Sequence, residues 1–337
     1  MDASASSHQA ADGFPPGFRS KIWVVRFDGV RGTRIFLDPF DGNGGGATRH
    51  EASAPPFMRR KRCIGWHGHW LVGLDDTTRD CFLVKNDYYS SSSPSKEEFM
   101  LPLPRLPAVD GSLWDPQGGV ELHCALSSQD PADCTVVLSP RSLAPLDLHG
   151  LPPLDSLLYC RPGDAEWSRL IPAEFHSRED YLNGALAGGG GRVYALTLSR
   201  NTFVVDGNCS SSSPPSVRWS DVKPYCGGIP FVQHVTNHLL LDPRDGAAFY
   251  VRFHVNNSPR GEVVGGDVHR WRPGADNGGC GGWESVDGIG DRTFFIGGRS
   301  SCSVVSPATE AAPSPTVFTS CGRRSIITAS CCCTPCV

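Results

Sequence analysis

The sequence contains no run of eighteen apolar residues, so no segment reads as a membrane-spanning helix. It has no excess of basic charge: 31 Lys and Arg stand against 35 Asp and Glu, a net charge of -4. A nucleic-acid partner would want a basic stripe, and none is advertised. The opening, MDASASSHQAADGFPPGF, lacks a charged start followed by an apolar core, so it is no secretory signal. Without secretion the expected compartment is reducing, cytoplasmic or nuclear, and disulfides are a poor default. Helix-period stretches are scarce. No G-x-S-x-G nucleophile turn occurs. No Lys-Ser/Thr pair follows Gly188–Gly191, so that run reads as a turn and not as a phosphate loop.

What is present is punctuation. Gly (38) and Pro (28) make up more than a sixth of the 337 residues. Between them one pattern recurs: HWLVGLDDTTRDCFLV from His69, ELHCALSSQDPADCTVVL from Glu121, RVYALTLSRNTFVVD from Arg192 and HLLLDPRDGAAFYVRF from His238. Each is an apolar run, a short polar turn and a second apolar run. Val, Leu, Phe and Tyr favour strands, and Asp, Ser, Asn, Gly and Pro reverse a chain cheaply. Recurrence at roughly 45–70 residues is what a radial array of small sheets gives.

The expected fold class is therefore all-β, a β-propeller of four-stranded blades. The strand count favours six blades, with seven as the alternative. The expected boundaries are a disordered leader over 1–18, a propeller over 19–320 and an irregular Cys-rich tail over 321–337. Within the propeller, Ile22–Asp28 and Thr33–Phe40 read as a first strand pair. The segment DGNGGGATRHEASAPP reads as loop, as does the Ser-rich stretch Ser90–Ser95. The Pro residues of EFMLPLPRLP fit an edge strand.

Candidate chemistry is thin. His67 and His69 alternate beside Trp66 and Trp70 and could begin a metal site, but no third ligand stands at a matching place. A packed or turn-bonded His is the simpler reading. Arg161–Asp164 (RPGD) reads as a turn whose Asp bonds its own backbone, with Trp167 packed three residues on. Gly290–Phe295 reads as a blade-entry turn. The basic run Arg59-Arg60-Lys61-Arg62 reads as a solvated loop before a strand. Most of the 14 Cys sit in apolar runs, Cys81, Cys134 and Cys160 among them, and behave there as small hydrophobes. The tail CCCTPC has no second half for a zinc site, and the last four residues, TPCV, break the prenylation pattern. Asn208-Cys209-Ser210 and Asn256-Asn257-Ser258 fit the glycosylation pattern but mean nothing without secretion. No catalytic, cofactor-binding or metal residue is assigned, and the binding residues are left unknown.

Four segments, in order, carry a resemblance. They are GWHGHWLVGLDDTTRDCFLVKND (Gly65–Asp87), LLYCRPGDAEWSRL (Leu157–Leu170), GRVYALTLSRNTFVVDG (Gly191–Gly207) and WESVDGIGDRTFFIGGRSSCSVV (Trp283–Val305). Together they resemble the KIB-type β-propeller family of plants, also termed domain of unknown function 295, which often follows an F-box. The resemblance implies a non-catalytic module whose partner is a protein, either a signalling protein or a degradation substrate, with no nucleic acid, membrane or cofactor. Residues 1–20 hold no counterpart of the F-box helices, so the expectation is binding without recruitment of a ubiquitin ligase. The family continues with further strands where this chain offers TVFTS and then CGRRSIITASCCCTPCV, so the last blade is expected to be incomplete. The alternatives are a propeller enzyme or small-ligand binder at the central channel, and a decayed family copy. A channel site would bring His67, His69, Asp164 and Asp291 together.

Overall fold

A computed structural model describes residues 24–28, 33–38, 48–53, 58, 60–67, 70–85, 100–107, 120–142, 157–170, 182–197, 199–207, 213–220, 234–242, 244–255, 263–273, 281–290, 292–297, 304–307, 317–321 and 326–330. The leader, the Ser90–Ser95 loop, His69, Asp291 and the CCCTPC motif lie outside them.

The strands fall into consecutive groups. The first is β1 (Val24–Asp28), β2 (Thr33–Asp38) and β3 (Thr48–Ser53). Blade 2 is β4 (Lys61–His67), β5 (Trp70–Asp75), β6 (Cys81–Lys85) and β7 (Met100–Leu103). Blade 3 is β8 (Val120–Leu126), β9 (Val136–Ser142), β10 (Leu158–Cys160) and β11 (Ser168–Arg169). Blade 4 is β12 (Leu182–Gly189), β13 (Arg192–Thr197), β14 (Thr202–Asp206) and β15 (Ser216–Ser220). Blade 5 is β16 (His234–Leu241), β17 (Ala248–Val255), β18 (Val263–Arg272) and β19 (Gly282–Ser285). The last group is β20 (Arg292–Gly297), β21 (Val304–Pro307), β22 (Val317–Cys321) and β23 (Ile326–Ser330).

Among the described residues these make six units, one of three strands and five of four. Blades 2 to 5 are antiparallel meanders, each strand paired with its neighbour in sequence. Their innermost strands β4, β8, β12 and β16 stand side by side in that order. At one point they approach closely enough to share a ladder. Gly65 pairs with Cys124 in parallel, so blades 2 and 3 form a single eight-stranded sheet. A Cβ on Gly65 would stand 2.5 Å from Cys124 O, which is why glycine occupies that position.

The apolar runs are continuous because each blade is covered on both faces. Side chains alternate along a strand, so neighbours in sequence enter different cores. On β9, Val136 and Leu138 join the core shared with blade 2, and Val137 joins the core shared with blade 4. On β14, Phe203 and Val205 face blade 3, and Val204 faces blade 5. On β17, Tyr250 faces blade 4, and Phe249 and Val251 face the last group, where Phe294 waits. Each such side chain contributes roughly 1.5–3 kcal/mol by leaving water. Tyr250 is fully buried, and its hydroxyl donates to Asn237 Oδ1 at 2.7 Å.

Two sequence expectations change. Residues 48–53, read as loop, are a strand: Thr48–Ser53 pairs with β2 along its whole length. The polar sequence TRHEAS hides it, as an outer strand needs no apolar run. Ile326–Ser330, read as part of an irregular tail, is strand β23 and pairs with β22; its Ile-Ile-Thr run is β-branched. The last group also breaks the meander. Its order is β21-β20-β22-β23, and β20 and β22 run parallel. Parallel neighbours need a crossover, which here passes by way of β21. Pro102 lies on β7, at the sheet edge as expected. Among the described residues no helix is long and apolar enough to cross a membrane.

Candidate functional site

The four recurring hairpins share one turn design. The residue that ends the first strand folds a short side chain back onto the turn. Asp75 Oδ1 accepts from the Thr77 and Thr78 amides at 2.9 and 3.1 Å. Ser127 Oγ accepts from the Thr135 amide at 2.9 Å, and Thr197 Oγ1 from the Asn201 amide at 3.1 Å. Asp242 Oδ1 accepts from the Arg244 amide at 2.9 Å. Turn amides left without a strand partner are thereby satisfied, the Thr135 amide in the buried interior and the Thr77 and Thr78 amides at the surface. Three turns then need a left-handed residue before the return strand: Arg79 (φ 64), Arg200 (φ 66) and Gly246 (φ 67).

The hairpins do not occupy equivalent places. Those at Ser127 and Asp242 join the first and second strands of their blades. Those at Asp75 and Thr197 join the second and third. Inner strands of neighbouring blades run the same way, so the two kinds of turn lie on opposite rims.

On the first-turn rim, blades 3 and 4 interlock. The Gly191 amide donates to Ser127 O at 2.8 Å, the Gly207 amide to Gly191 O at 2.8 Å, and Thr135 Oγ1 to Gly207 O at 3.3 Å. The Gly188–Gly191 run, read as a turn, is turn only at Gly190 and Gly191; Gly188 and Gly189 end β12 and pair with Val193 and Arg192, and Gly189, Gly190 and Gly191 are all at positive φ. A Cβ on Gly189 would lie 2.6 Å from His67 Cε1 and would overlap the Leu241 side chain. His67 of blade 2 and Leu241 of blade 5 therefore both approach Gly189 of blade 4 at the ends of the innermost strands. Burial pushes the His67 pKa below its ordinary value.

Blade 5 and the last group are joined by charge. The Asp242 carboxylate is completely buried. Arg244 Nη2 reaches it at 2.8 Å and Arg292 Nε at 2.7 Å. Arg292 Nη2 also donates to Asp245 Oδ2 at 2.6 Å, and its guanidinium lies 5.4 Å from the Phe249 ring centre. Burial pushes the Asp242 pKa up. The Arg244 side chain and amide, with Arg292, outweigh it, and the carboxyl sits below its ordinary value. Arg292 thus makes GDRTFF a blade-entry staple.

Two Trp residues staple the other blades. Trp167 Nε1 donates to Pro104 O at 2.8 Å, linking blade 3 to blade 2. Trp283 Nε1 donates to Thr202 Oγ1 at 2.8 Å, linking blade 5 to blade 4, where Ser220 Oγ also donates to Gly281 O at 2.6 Å. RPGD is the turn that the sequence predicts: the Arg161 amide donates to Asp164 Oδ2 at 2.7 Å, and the Asp164 amide to Arg161 O at 3.0 Å.

Of the four residues a channel site would need, the structure puts His67 beside Gly189 and spends Asp164 in its own turn; His69 and Asp291 lie outside the described residues. Among the described residues no group of three or more His, Cys, Asp or Glu could hold a metal ion. Sequence reasoning missed Asp242 and its pairing with Arg292. The D-P-R-D-G turn signals a hairpin but carries no sign of a partner fifty residues away.

Cys81, Cys134 and Cys160 are buried free thiols in the core between blades 2 and 3. Burial pushes Cys81 up to about 12 and Cys134 up to about 11, and raises Cys160 further from its ordinary range. They are expected to resist iodoacetamide in the folded chain and to react fully in urea, with mass spectrometry as the readout. The sign on stability follows. The unfolded thiols ionise near their ordinary value and the folded ones do not, so stability falls as pH rises above about 9.

Among curated proteins, none matches the sequence. Of solved structures, apo AztD from Citrobacter koseri is similar at 10% identity and a TM-score of 0.38, over 86% of this chain and 66% of that one. A prolyl endopeptidase is similar at 14% identity and a TM-score of 0.34, over 81% and 35%. Hsv2 of Kluyvelomyces marxianus is similar at 8% and 0.31, over 79% and 80%. This chain thus spans just under two thirds of AztD and about a third of the endopeptidase. Likenesses this distant carry nothing about ligand or activity. The family profile described as KIB1-4 beta-propeller matches residues 41–320, a stretch that holds all four hairpins and the Asp242–Arg292 staple. The chain belongs to the KIB1-4 beta-propeller family.

Proposed function

We propose that the chain is a non-catalytic protein-interaction module, akin to the substrate-recognition propellers that accompany F-box proteins, with residues 19–320 as its working unit. The observation that carries this reading is where the signature residues go. Asp164, Trp167, Trp283, Asp242 and Arg292 all bond within turns or between blades. They build a scaffold and leave the rim turns to meet other molecules, a division of labour typical of propellers.

The test is crosslinking mass spectrometry of the tagged full chain in extract from its own cells. The expected result is a reproducible protein partner crosslinked to rim residues. No reproducible partner across replicates would overturn the reading.

A further inference from the structure

We infer that the second-turn rim of blades 2 and 4 is a docking surface for an acidic protein segment, gripped by Arg60, Arg79 and Arg200. The inference rests on the interaction-module reading and gives its partner a chemistry.

Among the described residues, every non-glycine residue at positive φ is one of these three arginines, at φ 61, 64 and 66. They share a rim. Arg79 and Arg200 sit at the left-handed position of the equivalent second-to-third-strand turns. Arg60 precedes Lys61, which pairs with Asp75 at the start of the Arg79 turn. On the opposite rim the left-handed positions go to glycine, as at Gly190 and Gly246. An arginine there is strained relative to glycine, and the hydrogen bonds that Arg79 and Arg200 make in their turns are backbone ones that glycine would keep. The side chains themselves are the gain.

Their surroundings say what they meet. None of the three has an ion-pair partner among the described residues, and Arg60 is exposed. Nearby arginines are already committed: Arg62 to Asp76 at 2.6 Å, and Arg105 to Asp80 at 4.0 Å and to Thr78 O. The rim acids are spent in the same contacts, with Asp75 holding its own turn amides. Among the described residues around the Arg60 and Arg79 turn the remaining charge is positive, and Lys61, 4.6 Å from the Phe82 ring centre, adds to it beside Arg60. Guanidinium forks match carboxylates two bonds at a time. The chain as a whole is at -4, so an acidic segment is drawn to this rim and repelled elsewhere. A long nucleic acid would also run over Asp76 and Asp80, which favours a short protein segment.

The experiment titrates the full chain with a fluorescent decaglutamate peptide at low and physiological salt. The variant Arg60→Gly/Arg79→Gly/Arg200→Gly keeps the turn geometry, because glycine takes positive φ freely. Arg272→Ala, on the opposite rim, is the control. The expected result is a loss of at least tenfold in affinity for the triple variant, Tm unchanged or raised, and no change for Arg272→Ala. Equal affinity in the triple variant would overturn the inference. So would a lowered Tm, which would make the arginines structural, or equal binding of a decathymidylate. A crosslinked partner that ignores the triple substitution would sink the rim assignment and leave the interaction-module reading standing; the absence of any partner would sink that reading itself.

Discussion

Asp242→Ala is expected to cost the chain about 3 kcal/mol of stability, read as a shift in the urea midpoint. Asp242 is fully buried, while Arg292 keeps 16% and Arg244 35% of side-chain exposure. Removing the carboxylate leaves two cations and a turn amide facing each other. Their partial exposure holds the cost toward the low end of the range for broken buried pairs. Asp242→Asn restores the turn acceptor but not the charge, and is expected to lose less. The pH signature separates this from a packing defect. The folded carboxyl sits below its ordinary value, so its contribution is complete above about pH 4 and is lost as pH falls through the lower folded pKa. The gap between wild type and Asp242→Ala should therefore narrow in acid. A cost under about 1 kcal/mol at neutral pH, or a gap that ignores acid, would reject the staple.

Gly188→Ala is expected to be equally damaging, at about 3 kcal/mol. The new Cβ would overlap Leu126 O, with Leu126 C and N at 2.8 and 2.9 Å. Backbone cannot swing aside as a side chain can, so β12 would have to move off β8 and strain the Gly191–Ser127 bond. Gly163→Ala is the reference: its φ is +94 but nothing lies within 4 Å. It should cost only the backbone strain, about 1 kcal/mol. Thermal melts of the two variants, expected in that order, make the comparison. Equal melts would mean that the inner strands are looser than described.

The contrast explains what the sequence could and could not tell. Blades 3 to 5 were legible because both faces of β9, β13 and β17 are buried, so apolar runs such as RVYAL and AFYVRF stand out between turn residues. The RPGD turn was legible because its bonds close within three residues. β3 was not, since TRHEAS carries no apolar run. Nor was the placing of the hairpins on two rims, because the same turn chemistry serves a first or a second connection. The candidate site was the least legible part. The basic run from Arg59 reads as a solvated loop, yet Lys61 and Arg62 already belong to β4, paired with Asp75 and Leu74, and only the structure shows that Arg60 shares its rim and backbone conformation with Arg79 and Arg200.

The Trp staples have a kinetic consequence. Within blades 2 to 5 every strand zips against the one before it, a low-entropy loop closure that each blade can make alone. The Trp167–Pro104 and Trp283–Thr202 bonds span 63 and 81 residues and cannot form until two finished blades meet. Folding should then run in two stages, local hairpins first and docking afterwards, with the slower step set by these long-range contacts. The residues that most clearly mark the family act at the end of assembly, where a ring of independent leaflets becomes one cooperative body.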